Sequence, residues 1–210
     1  LLMLSHRDAD HVGGAAALLQ ALPVRELHSS LEDGHALRAA AAVHRRCEAG
    51  GTWQWDGVQF ELLHPPAKSY AAALKPNARS CVLRVRAANG ATALLTGDIE
   101  RGQELALAEA GPAVLQADVM LVPHHGSRTS STARFIDAVR PQLAVVQAGY
   151  RSRFGHPAPD VVARYRERGI VVRESARCGA MRWSSKHRTP ECERDAVRRY
   201  RHHPDETRTP

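Results

Sequence analysis

The sequence predicts a layered α/β domain. Two early β-hairpins, a later run of short apolar strands alternating with helices, and polar loops that follow the apolar strands carry that prediction. The 210 residues fit one domain of ordinary size, and 43% apolar with 24% charged side chains is a globular balance. Those values exclude a wholly disordered chain and a disulfide miniprotein. No run approaches the ~20 apolar residues of a membrane helix. The first residues do not form a basic-apolar leader.

Leu1–Leu4 reads as the end of a buried strand, so the chain is expected to be a piece of a longer protein. Ala15–Leu22 follows a glycine pair as a short helix, and Pro23 closes it. Val24–His28 is a short strand. The alanine-rich Gly34–Gly50, with glycine at both ends, predicts a helix. Asp56-Gly57 joins Thr52–Trp55 to Val58–His64 as a hairpin. Pro65–Ala78 holds three prolines and reads as a loop. Ser80–Ala87 alternates, with Cys81, Leu83 and Val85 inward and Val82, Arg84 and Arg86 outward; Asn89-Gly90 turns it into Ala91–Thr96. Ile99–Ala110, Ser131–Val139 and Pro159–Arg168 are helices. Asp118–Val122, Leu143–Ala148 and Ile170–Glu174 are strands between and after them, and Ala180–Ser184 is a last short one. The folded domain is placed at 1–185. Residues 186–210 form a charged tail, partly helical around Asp195–Arg201.

The four cysteines, Cys47, Cys81, Cys178 and Cys192, have no CxxC spacing. A structural zinc knuckle is disfavoured, whereas disulfides and the redox compartment are left open. The charge is uneven. Residues 1–149 carry 14 basic and 14 acidic side chains, residues 150–188 carry 10 against 3, and the rest carry 5 of each. The whole excess of +7 falls in one segment. That suits a polyanionic partner or, equally, a solvated arginine-rich surface.

Chemistry concentrates at strand ends. Ser5-His6-Arg7-Asp8-Ala9-Asp10-His11-Val12-Gly13-Gly14 places four metal-ligand side chains within six residues, between a buried strand and a helix. Loops at the carboxyl edge of strands are where open α/β sheets hold their sites. His6 and Asp8 suit one ion, and Asp10 and His11 a second. A helix-capping polar loop is the plainer alternative. Thr96-Gly97-Asp98 repeats the arrangement, with Asp98 as a carboxylate between two ions or as a helix cap. Val122-Pro123-His124-His125-Gly126-Ser127 ends a third strand. Adjacent histidines point apart, so one is expected on metal, His124, while His125 faces substrate or a neighbouring loop. Phe154-Gly155-His156-Pro157 adds a fourth loop histidine, either catalytic or merely at the surface.

HxDxDHxGG at His6–Gly14, TGD at Thr96–Asp98, VPHHGS at Val122–Ser127 and AGYRSRFGHP at Ala148–Pro157 resemble, in this order, the metallo-β-lactamase fold. With Asn77–Ser80, they more narrowly resemble the C-terminal domain of the ComEC family of DNA-uptake competence proteins. The resemblance runs from Leu1 to about Trp183. It implies a metallo-β-lactamase-like αββα sandwich that here lacks its first strands, leaving an exposed sheet edge. It also implies a parent in the bacterial inner membrane, a channel for single-stranded DNA, with this domain on the periplasmic side degrading the strand that is not imported. The partners implied are DNA and the membrane channel and other domains of the parent chain. Two departures stand out from the usual fold motif. Asp8 occupies the place of a second histidine, and Asn77 and Ser80 stand where another histidine is usual.

The chemistry expected is hydrolysis of a phosphodiester at two divalent metal ions held by His6, Asp8, Asp10, His11, Asp98 and His124. An oxygen-rich set favours Mn2+, with Zn2+ or Mg2+ as alternatives. Asp98, His125 and His156 are the catalytic candidates. Asn77, Ser80, Ser127, Arg128, Arg151 and Arg153 are the substrate-binding candidates. A small-molecule phosphodiesterase acting on a phosphorylcholine ester, and a non-catalytic DNA-binding or gating module, are the competing functions.

Overall fold

Alternating apolar residues and turn-forming dipeptides build most of the strands where the pattern places them. The computed structural model describes residues 1–197. Strand β1 (Leu2–Leu4) leads through one-turn helix α1 (Ala9–Val12) and α2 (Ala15–Ala21) into β2 (Glu26–Ser29). Helix α3 (Ala36–Ala39) then leads into β3 (Val43–Arg46). These strands form a parallel three-stranded sheet in the order β1-β2-β3, so β1 is an edge strand.

Strands β4 (Thr52–Trp55), β5 (Val58–His64), β6 (Val82–Arg86) and β7 (Thr92–Leu95) form an antiparallel meander. Helices α4 (Arg101–Glu109) and α5 (Pro112–Leu115) lead to β8 (Val119–Leu121). Helix α6 (Ala133–Val139) leads to β9 (Leu143–Val146), and α7 (Pro159–Arg166) leads to β10 (Val171–Glu174). The last three strands continue the sheet in parallel, giving seven strands in the order β10-β9-β8-β7-β6-β5-β4. Short helix α8 (Ser175–Cys178), the antiparallel pair β11 (Met181–Arg182) and β12 (Glu191–Cys192), and α9 (Glu193–Ala196) follow.

The layers are helix, sheet, sheet, helix. Leu4, Leu27 and Leu31 pack with Ala15 and Leu37 on the helix side of the small sheet. Met3 and Cys47 meet Leu62, Leu83 and Phe60 between the sheets. The other face of the large sheet buries Val82, Leu94, Met120 and Ala144 against Leu107, Phe135, Ile136 and Tyr165. Burial of this kind contributes about 25 cal/mol per Å² of apolar surface removed from water.

Two sequence expectations change, and the cysteine pairing that the sequence left open takes a definite form. Gly34–Gly50 is not one helix: after α3 the chain extends into β3, which pairs residue for residue with β2. Sheet pairing overrides the weak preference of alanine for helix. Val82 and Arg84 do not face solvent, because layers cover both faces of the large sheet; Val82 is fully buried and Arg84 nearly so. All four cysteines pair, as Cys47–Cys81 and Cys178–Cys192.

The boundary expected at residue 185 falls between β11 and β12, which pair with each other. The Cys178–Cys192 bond joins the first part of the expected tail to the domain. Of the helix expected around Asp195–Arg201, Asp195 and Ala196 close α9 and Val197 is extended; residues 198–201 lie outside the described residues.

Candidate metal centre

The first ligand group grows from the end of β1. Leu4 is buried and anchors the strand, and Ser5 to Asp8 continue as an extended loop. Asp8, in extended conformation, precedes α1, whose single turn carries Asp10 and His11. The six-residue motif thus folds as loop followed by helix and converges on one point. His6 Nε2 lies 3.5 Å from Asp8, and His11 Nε2 lies 3.7 Å from Asp10. The Ser5 hydroxyl reaches Nδ1 of both His6 and His11, each at 3.0 Å, and so turns both Nε2 atoms inward.

The second group hangs from β7. Gly97 has φ +54, and a Cβ there would lie 2.9 Å from the Ser5 Cβ and 3.0 Å from the Ser80 Cβ. Only glycine fits this turn. The turn presents Asp98, whose backbone N–H donates to the Ser80 hydroxyl at 3.0 Å. One carboxylate oxygen, Oδ1, is 3.2 Å from His11 Nε2, and Oδ2 is 3.4 Å from His125 Nε2 and 3.9 Å from His6 Nε2. Asp98 therefore shows a different oxygen to each side of the cluster.

The third group follows β8. His124 and His125 both take left-handed backbone conformations, φ 49 and 53. Consecutive strained residues of this kind cluster at functional sites. Their rings diverge at 63° with centroids 6.3 Å apart. The His125 Nδ1 donates to the Gln147 carbonyl at 2.7 Å, which aims Nε2 at Asp10 (3.2 Å) and at His11 Nε2 (3.3 Å). Asp10, His11, Asp98 and His125 offer ligand atoms that all lie within 4.8 Å of one another. His124 instead sits between Asn77 Nδ2 at 3.4 Å and Glu100 at 3.2 Å, with its Nε2 3.9 Å from Asp98. Of the two histidines, His125 joins the four-residue cluster, and the expected ligand His124 lies at its edge.

Charge and burial fit a cation. His6 is 1% exposed, and its Nε2 has no hydrogen-bond partner. Burial, and then the neighbouring His11, push its pKa down, so the nitrogen carries a free lone pair. Burial works upward on Asp98, but the hydrogen bonds and charges of His11 and His125 hold its carboxyl well below the usual range. The hydrogen bond to Asp98 pushes His125 up to about 9. Inward-facing imidazole nitrogens and carboxylates, one nitrogen buried and unpartnered, are a donor set for divalent metal.

The remaining expected residues separate by position. Asn77 reaches the centre through His124. Ser80 is fully buried and braces Asp98 and His6 (3.3 Å), so it positions ligands and does not face substrate. Ser127 is likewise buried, with its hydroxyl on Thr129 at 3.1 Å. Arg128 is exposed and lies 3.5 Å from Asp160. Arg151 and Arg153 stand in the exposed loop after β9, each over the ring of its neighbour, Tyr150 and Phe154. His156 faces His124 with ring centroids 5.9 Å apart. Burial, then the charges of His124 and His125, lower its pKa.

Four supporting residues lie outside the expected set: Ser5 orients two histidines, Glu100 and Thr129 hold His124 Nδ1, and the Gln147 carbonyl holds His125 Nδ1. Ser5 is signalled only by its place in the motif, and the other three carry no sequence signal.

Solved structures of the same fold include the diiron β-hydroxylase CmlA from Streptomyces venezuelae, at TM-score 0.53 and 12% identity, covering 82% of this chain and 42% of that one. A metallo hydrolase from Ignicoccus hospitalis matches at TM-score 0.50 and 16% identity, covering 82% and 74%. Sequence relatives are closer. The chain is 36% identical to Competence protein ComA of Neisseria gonorrhoeae over 183 residues, which is 87% of this chain and 25% of the relative. It is 31% identical to ComE operon protein 3 of Bacillus subtilis, over 89% of this chain and 25% of that protein. The chain therefore spans about a quarter of the length of these relatives. Residues 1–150, which supply all three ligand groups, match the family described as the metallo-beta-lactamase superfamily, and the chain belongs to it.

Proposed function

We propose that this domain hydrolyses phosphodiester bonds of DNA with two divalent metal ions. The observation that carries the reading is Asp98, buried, with its carboxylate within 3.9 Å of Nε2 of each of His11, His125 and His6, so that it lies between the four-residue cluster and His6. Such metals supply an activated water and charge stabilisation at phosphate oxygens. Asp10, His11, Asp98 and His125 would hold one ion. His6, Asp8 and Asp98 face the place for a second. Three carboxylates among six donors favour Mn2+ over Zn2+ or Mg2+.

His156, with its lowered pKa, is neutral near pH 7. A neutral imidazole still donates one N–H, so His156 holds a phosphate oxygen rather than supplying a proton. Asn77 touches His124 at the centre, and Arg151 and Arg153 offer exposed cations in the loop that carries His156.

The likeness to competence proteins supports a role in DNA uptake, in which the strand that is not imported is degraded. The relatives are about four times longer, which supports other domains of a parent chain, a membrane channel among them, as partners beside DNA. Among the described residues no helix is long and apolar enough to cross a membrane. Both cysteine pairs are bonded, which supports an oxidising compartment and the periplasmic face of the inner membrane.

The test is hydrolysis of DNA and of a small chromogenic phosphodiester with Mn2+, Zn2+, Mg2+ or chelator. Mn2+ should support the highest rate and chelator should abolish it. Asp98→Ala should lower turnover more than about 100-fold, beyond what loss of an outer partner of a metal ligand costs. Full turnover in excess chelator would remove the metal mechanism. Hydrolysis of the small ester without any cleavage of DNA would favour the small-molecule phosphodiesterase, and DNA binding without either reaction would favour a gating module.

A further inference from the structure

Phe154 is 67% exposed, the most exposed of the large apolar side chains among the described residues. It stands in the loop between β9 and α7. Its ring lies 23° from parallel to the His156 ring, with centroids 6.0 Å apart. The His156 ring is 5.9 Å from that of His124, and His124 Nε2 is 3.9 Å from Asp98. A line of rings thus runs from solvent to the metal centre. The Arg153 guanidinium is 4.7 Å from the Phe154 centroid. The same loop repeats the pair, with Arg151 at 5.4 Å from the ring of Tyr150, itself 49% exposed.

We propose that Phe154 is a stacking platform that receives one unpaired nucleobase at the mouth of the metal centre, with Arg153 on the adjoining phosphate. The proposal rests on the reading of the site as one that acts on DNA. An exposed aromatic ring with a guanidinium lying over it matches a nucleotide unit: the base takes the guanidinium's place on the ring and the guanidinium turns to the adjoining anion. In a duplex the base faces are covered by neighbouring pairs, so the platform takes a single strand or an opened end. A protein partner is a poorer fit, because a stable interface covers about 800 Å² per side and this loop offers two separate rings. The weak sequence preference of stacking also suits an enzyme that degrades whatever strand it meets.

The experiment uses a nuclease-resistant phosphorothioate single strand carrying 2-aminopurine, with the wild-type domain, Phe154→Ala, Phe154→Trp and Arg153→Gln. Wild type should quench the 2-aminopurine emission. Phe154→Ala should lose the quench and bind the single strand about 5- to 150-fold more weakly, the span measured for one stacked base. Its slope of log affinity against log salt should not change, because no phosphate contact is lost. Phe154→Trp should keep both quench and affinity. Arg153→Gln should keep the quench and flatten the salt slope by about 0.7. If Phe154→Ala binds and quenches as wild type does, the platform is refuted while DNA hydrolysis stands. If wild type neither binds nor cleaves any DNA, the functional reading fails first and the platform with it.

Discussion

His125 Nδ1 is committed to the Gln147 carbonyl, so only Nε2 can serve the centre. Its neighbour His124 is committed to Glu100 and Thr129 through Nδ1 and leans on Asn77. His125→Ala should therefore empty the site formed with Asp10, His11 and Asp98, whereas His124→Ala should retain metal there; the reverse pattern in a metal titration would exchange the two roles. A proton follows from the same geometry. In the metal-free protein the pKa of His125 is raised to about 9, so at pH 7 the ring is charged. A ligand imidazole must be neutral, so metal binding releases that proton, and affinity should climb with pH up to about 9. Calorimetry in two buffers of unlike ionisation heat should show the release, and identical heats would refute it. The sequence made the pair legible as divergent, because neighbouring side chains seldom converge. It did not show which ring faces metal, since that is set by two left-handed backbone residues that no pattern encodes. Ser80 was misplaced for a related reason. A serine at the start of the neighbouring strand is indistinguishable in sequence from one that touches substrate.

At the level of elements, the turns between strand and ligand decide the site. Gly97 brings β7 to Asp98 through a left-handed turn wedged between Ser5 and Ser80. Gly97→Ala should strain that turn by about 1–3 kcal/mol and push apart the two residues that brace His6, His11 and Asp98. Urea unfolding should register the loss of stability, and metal affinity should fall with it; a variant with both unchanged would show that the turn relaxes freely. Gly126 plays a parallel part, because a Cβ there would lie 2.7 Å from the Pro157 side chain. This close contact brings the histidine pair beside the loop that carries His156. The hairpins at Asp56-Gly57 and Asn89-Gly90 and the later strand–helix alternation were legible because turn chemistry and apolar runs agree there. The failures have physical causes too. The alanines of 36–42 favour helix locally, yet β2 offers an edge for Val43–Arg46 to pair with. In β6, Val82 and Arg84 look outward only if one face of the sheet is assumed wet.

Across the whole molecule, three of the ten basic residues of 150–188 tie elements together: Arg164 donates to the carbonyls of Ser130 and Ser131, Arg168 grips Asp137, and Arg188 pairs with Asp118. Arg151 and Arg153 remain at the loop by the centre. The count of charges was legible in the sequence, and their division into struts and exposed cations was not. The cysteine pairs belong to this scale as well. Cys178–Cys192 closes a loop of surface chain in which Lys186 is exposed. A trypsin cut within that loop, after Arg182, Lys186 or Arg188, would leave two polypeptides that still travel as one. On a gel without reductant the nicked protein should migrate with the intact one. Only reductant should free the piece that follows the cut, so the lesion stays hidden from any assay that leaves the bond closed.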